Sequence, residues 1–121
     1  MTDSTTLDPT ALARLREWGG DKLAGQMVGL FLDNSGTRMD QIRAGAAGDD
    51  VSEAEKGSHS LKSSAANVGA HVLGRLAGEI ESGAASGDVD AVPKIVPGLE
   101  DAYSRAIADL KTVMDGIEAT Q

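Results

Sequence analysis

DVSEAEKGSHSLKSSAANVG, residues Asp50 to Gly69, is the stretch on which the fold turns. Within it Val51, Ala54, Ser58, Leu61, Ala65 and Val68 recur at alternating spacings of three and four, the period that puts apolar and small side chains along one face of an α-helix. Asp49 or Asp50 is the candidate N-cap, because a short carboxylate accepts hydrogen bonds from first-turn amides. Gly69 is the matching stop, since helices commonly end on a left-handed residue that glycine adopts without strain. A seam this narrow is buried only by other helices, so the rest of the chain is read for partners.

The flanking sequence supplies them. Asp8-Pro9 reads as an N-cap followed by proline at the first helical position. Leu12, Leu15 and Trp18 follow at helical spacing, and Gly19-Gly20 stops this short segment. Asp21 caps a long helix with Leu23, Met27, Leu30, Phe31, Met39 and Ile42 along one side, closed by Gly45 to Gly48. Downstream, Leu73, Leu76, Ala77 and Ile80 mark another helix before a turn at Gly83–Gly87. The last helix begins near Asp88 and carries Val92, Ile95, Leu99, Ala102, Ala106, Leu110, Val113 and Ile117. Pro93 suits an early helical position, and Pro97 is expected to bend this helix or reset its start. No stretch shows the sustained alternation of a half-buried strand.

The expected fold class is all-α: an antiparallel four-helix bundle with a short extra N-terminal helix. It spans residues 8–118 after a flexible N-terminal tail, residues 1–7. Gly25, Gly29, Gly57, Gly74 and Gly78 lower helix propensity. They either let helices approach closely or leave open surface, and both readings stand on the sequence.

Composition narrows the function. The chain has 121 residues, 19 Asp+Glu against 11 Lys+Arg for a net charge of −8, three aromatic residues, two His and no Cys. Without Cys there is no disulfide framework, thiolate metal site or cysteine nucleophile. Acidity and the scarcity of aromatics argue against nucleic-acid binding, which needs cationic surface and stacking platforms. No apolar run reaches the roughly 20 residues of a membrane helix, and the polar N-terminus lacks the basic and apolar regions of a signal peptide. A cytoplasmic protein, monomeric and without membrane or nucleic-acid partners, is the expectation.

Reaction chemistry then falls to the His and the carboxylates. His59 lies one residue past the seam position Ser58, on its shoulder, where the ring reaches water while its base is held by packing. Lys62 and Ser63 flank it within one turn. Neutral imidazole is available as a nucleophile near neutral pH, a nearby ammonium offsets charge on a transferred phosphoryl group, and small neighbours admit a second protein. Glu81, next to Ile80, flanks the same inter-helix groove; a carboxylate there would fix the imidazole tautomer, and a solvated carboxylate is the plain alternative. His71, after Gly69, reads as surface or local capping, and Thr10 and Asp33 as solvated.

His59-Ser60-Leu61-Lys62-Ser63-Ser64-Ala65-Ala66-Asn67-Val68-Gly69 resembles the signature of histidine phosphotransfer (HPt) domains: His-x-Leu-Lys-Gly-Ser, small residues, an aliphatic residue, then Gly. The resemblance extends over roughly residues 8–114. It implies a four-helix bundle that takes a phosphoryl group from a receiver-domain aspartate or a hybrid histidine kinase and passes it to a response-regulator receiver. It makes His59 the phosphoacceptor, Lys62 the nearby cation and Leu61 and Val68 seam residues. Glu81 corresponds to a Glu or Gln that hydrogen-bonds the imidazole. Ser63 replaces the usual Gly, where its hydroxyl either bonds the phosphoryl group or crowds the partner, and Ser58 replaces the usual Ala.

Such a protein is a phosphocarrier rather than a kinase. No phosphate loop ending in Lys-Ser/Thr occurs in the sequence, no cofactor of its own is implied, and Mg²⁺ is expected in the partner receiver domain. Three alternatives are weaker. A metal-binding bundle would need a Glu-x-x-His pair or His residues sharing a face. A non-catalytic interaction bundle would not need the His59/Lys62 pair. A histidine-kinase dimerisation domain would carry an acidic residue where Ser60 stands.

Overall fold

The computed structural model describes residues 7–48 and 50–119, which form α1 (Pro9–Ala47), α2 (Val51–Val68), α3 (His71–Ala85) and α4 (Ala91–Ala119). The helix ends follow local chemistry. At the start of α1, Asp8 Oδ1 accepts from the Thr10 amide at 3.0 Å and from the Thr10 hydroxyl at 2.7 Å, with Pro9 at the first helical position. Thr10 is therefore part of a cap and not merely solvated. Asp50 caps α2 by accepting from the Glu53 amide at 3.2 Å; the alternative cap, Asp49, lies outside the described residues, as do residues 1–6 of the expected tail. Leu7, placed in that tail, packs against the core.

The short N-terminal helix is present as one arm of α1. Gly19 (φ −148°, ψ 16°) and Gly20 (φ 69°, ψ −167°) leave helical geometry and separate residues 9–18 from the long arm that follows. The Gly20 dihedrals are accessible to glycine almost alone. Three boundaries differ from expectation. Gly45 is buried inside α1, which closes only at Gly48. Helix α3 passes through Gly83 and ends at Ala85, so the turn is carried by Ser86 and Gly87. Helix α4 begins at Ala91, with Asp88 Oδ1 accepting from the Asp90 and Ala91 amides. It runs on through Pro97, which is exposed and does not reset its start.

Contacts between helices fix the topology. Gly45 lies against Ala54 and Gly57 against Gln41 and Ile42, so α1 and α2 run antiparallel. His59 meets Glu81 and Lys62 meets Gly78, which makes α2 and α3 antiparallel. Gly83 meets Val92 and Gly98 meets Leu76, reversing α4 on α3. Gly25 against Ile117, Gly29 against Met114 and Arg43 against Glu100 bring α4 back antiparallel to α1. The helices close into the expected all-α bundle.

Its core is the α2 seam and what that seam touches. Ala54, Ser58, Leu61, Ala65 and Val68 are buried, together with Phe31, Met39 and Ile42 from α1, Leu73, Ala77 and Ile80 from α3, and Leu99, Ala106 and Leu110 from α4. A fully buried leucine contributes roughly 1.5–3 kcal/mol, so Leu61, Leu73, Leu99 and Leu110 matter more than any surface pair. Ser58 is buried but satisfied, its hydroxyl donating to the Glu55 carbonyl at 3.1 Å. At Gly57 a Cβ would lie 3.1 Å from the Arg38 carbonyl oxygen and the same distance from Gln41 Cβ and Ile42 Cγ1. The close-approach reading of the helical glycines is the correct one there. Two apolar residues assigned to inward faces point outward: Trp18 is 70% exposed and Leu30 55%. Trp18 is the last residue before the kink, and Leu30 borders the groove described below. No helix among the described residues is long and apolar enough to cross a membrane.

Candidate functional site

Helix α2 offers its outward face between α3 on one side and the long arm of α1 on the other. His59 follows buried Ser58 onto that face, and its side chain is 65% exposed. On the α3 flank Glu81 reaches the expected partner, His59, and a second one, Lys62, at once. Its Oε2 lies 2.6 Å from His59 Nδ1 and its Oε1 2.5 Å from Lys62 Nζ. Ile80, buried beside it, anchors this part of α3 in the core. Lys62 lies over Gly78, where a Cβ would come within 3.3 Å of Lys62 Cδ.

The electrostatics give the ring a direction. The Lys62 ammonium, and after it the His59 ring, hold the Glu81 carboxyl below the usual carboxylate range, against the opposing effect of desolvation. Glu81 is thus an acceptor at neutral pH, and a neutral His59 ring can donate to it only as the Nδ1–H tautomer. The lone pair is left on Nε2, which has no hydrogen-bond partner among the described residues.

On the α1 flank lies a groove of about 540 Å³. Met27, Leu30 and Phe31 form its apolar stretch, Asn34, Thr37 and Arg38 continue the α1 wall, and His59, Ser60, Ser63, Ser64 and Asn67 form the α2 wall. The structure therefore brings His59, Lys62 and Glu81 into one hydrogen-bonded unit and sends Ser63 to the opposite flank, where it lines the groove. Helical spacing puts Lys62 and Ser63 within a turn of His59 but does not say which neighbouring helix each one meets.

His71 is not part of this site. It is exposed at the start of α3, with Nδ1 3.4 Å from the Gly69 carbonyl oxygen, which agrees with a surface or local capping role. No group of three or more His, Asp or Glu that could hold a metal ion occurs among the described residues. The sequence leads one to expect an apolar docking patch around His59 from the long arm of α1 and from α2, but does not single out Arg38 in that wall. The signal for it was available: folding the chain back at Gly48–Asp50 sets residues near 38 opposite His59.

With this geometry in hand, comparison with known proteins identifies the class. The model of the Hpt domain family matches residues 26–112, and the chain belongs to that family. Its members are phosphocarriers, not kinases, and act with receiver domains and histidine kinases in phosphorelays; the chain is a phosphotransfer intermediate of two-component signalling. Among solved structures it is similar to histidine-containing phosphotransfer protein B (HptB) from Pseudomonas aeruginosa PAO1, at 23% identity and a TM-score of 0.85, covering 93% of this chain and 97% of that one. That likeness concerns the fold. No curated protein matches the chain at a significant level.

Proposed function

We propose that His59 Nε2 is the atom that carries the phosphoryl group between receiver-domain aspartates or from a hybrid histidine kinase. The observation behind this reading is the 2.6 Å contact of Glu81 Oε2 with His59 Nδ1. It leaves Nε2 as the nucleophile on an exposed helix face. In the forward step the Nε2 lone pair attacks phosphorus in line, and the bond to the aspartyl oxygen breaks with its electron pair returning to that carboxylate. The ring becomes a phosphoimidazolium still protonated on Nδ1, and Glu81 faces its positive charge. The reverse step returns the N–P bonding pair to Nε2.

Lys62 offsets charge on the transferred group from the α3 flank, and Ser63 donates a hydrogen bond to it from the groove. Mg²⁺ is supplied by the partner receiver domain, and neither a cofactor nor an ATP site belongs to this chain. The working unit is a cytoplasmic monomer formed by residues 8–118.

Incubation with a phosphorylated receiver domain and Mg²⁺ tests this. Acid-labile, base-stable label is expected on the wild type and absent from His59→Gln. Label retained in His59→Gln would overturn the assignment. A correctly folded wild type that never takes up label would favour the non-catalytic interaction bundle instead.

A further inference from the structure

The charge around His59 is unevenly supplied. Glu81 bridges the ring and Lys62, so neutral His59, anionic Glu81 and cationic Lys62 sum to no net charge. A phosphoryl group arriving at Nε2 brings about two negative charges. In such a transfer, charge on the equatorial oxygens is the main thing the site must stabilise. Lys62 can answer only in part, because its ammonium is held by Glu81 at 2.5 Å on the α3 side.

The opposite flank holds a cation without such a partner. Arg38 lines the groove that His59 also lines. Its guanidinium makes one long hydrogen bond, Nη1 to Gln41 Oε1 at 3.5 Å, and forms no ion pair among the described residues. Gln41 in turn gives its amide to Glu53 at 2.9 Å, and no carboxylate is among the residues that line the groove with Arg38. Antiparallel register sets the height. Gly57 packs against the Arg38 carbonyl, and His59 lies two residues further along α2, about 3 Å of helical rise. Arg38 thus stands beside the phosphoacceptor on the side that Glu81 leaves open, and its planar fork suits two phosphoryl oxygens at once.

We infer that Arg38 is a second phosphoryl-contacting cation, engaging the equatorial oxygens of the group on His59 Nε2 from the α1 flank. This rests on His59 being the phosphoacceptor. It differs from a role in reading the partner's surface, because the contact is to the transferred group itself.

Phosphoramidate separates the two roles, since it donates a phosphoryl group without presenting a protein surface: Nε2 attacks phosphorus, the P–N bond breaks and ammonia departs. His59 labelling by phosphoramidate is expected to slow about tenfold in Arg38→Ala and Arg38→Gln, with Arg38→Lys in between. Circular dichroism should show an unchanged fold in each, and Arg38→Gln retains a long side chain should Arg38→Ala perturb the helix. Wild-type rates in both variants would overturn the inference. So would wild-type phosphoramidate rates combined with slower transfer from a phosphorylated receiver, which would make Arg38 a partner-reading residue. Label that persists in His59→Gln overturns the underlying assignment instead, and is distinguishable from either result.

Discussion

In the proposed mechanism Glu81 gives His59 its direction. A free neutral imidazole divides its proton between two nitrogens, whereas a carboxylate 2.6 Å from Nδ1 holds the proton there. Long-range ¹H–¹⁵N spectra of the ring should therefore show the Nδ1–H tautomer in the wild type. Glu81→Ala should shift the population towards Nε2–H and slow transfer, because the nucleophilic nitrogen is then protonated; an unchanged tautomer would contradict this role. At this scale much was legible before the fold was known. His59 and Lys62 stand in a specific motif, and the place of Glu81 next to the inward residue Ile80 put it within reach of the ring. The division of flanks was not legible. Lys62 and Ser63 are adjacent in sequence, and only the packing of α3 and α1 sends one to Glu81 and the other to the groove. Arg38 was missed because nothing local marks it; its meaning comes from the register of α1 against α2.

The elements were readable where the chain carries its own punctuation. The α2 seam, the Asp50 cap and the Gly69 stop are local chemistry, and each appears in the structure. Apolar spacing alone overreached at Trp18 and Leu30, because periodicity counts hydrophobic residues without knowing where a helix runs out of neighbours. Gly69 also does more than end a helix. Its φ of 81° and the 2.5 Å that would separate a Cβ from the Asp8 carbonyl oxygen let the short arm of α1 lie on the α2–α3 turn, where the Asp8 amide donates to the Gly69 carbonyl at 2.6 Å. Gly69→Ala meets the left-handed penalty of about 1–2 kcal/mol and the clash besides. Its urea midpoint should fall clearly below wild type; an unchanged midpoint would mean the arm is not held there.

For the whole molecule, the charge of −8 is less informative than the way particular carboxylates are paired. Arg43 holds Glu100 through two hydrogen bonds of 2.6 Å, tying α1 to α4, and this lowers the Glu100 carboxyl as Lys62 lowers Glu81. Both groups have a lower pKa folded than unfolded, so the stability they contribute is complete above the ordinary carboxylate value of 4.5 and is lost as pH falls through the folded values. Both side chains are partly solvated, and each pair contributes modestly. The urea midpoint is expected to fall as the pH drops below 4.5, less steeply in Glu100→Gln; a midpoint that holds or rises on acidification would contradict the pairing.

The bundle places one ring nitrogen at its surface and ties the other to Glu81, and ³¹P NMR of the protein after transfer from a phosphorylated receiver tests that claim most directly. A single phosphohistidine resonance of the Nε2 isomer, absent in His59→Gln, is the expected result. An Nδ1 isomer, or a resonance that survives the substitution, would contradict it.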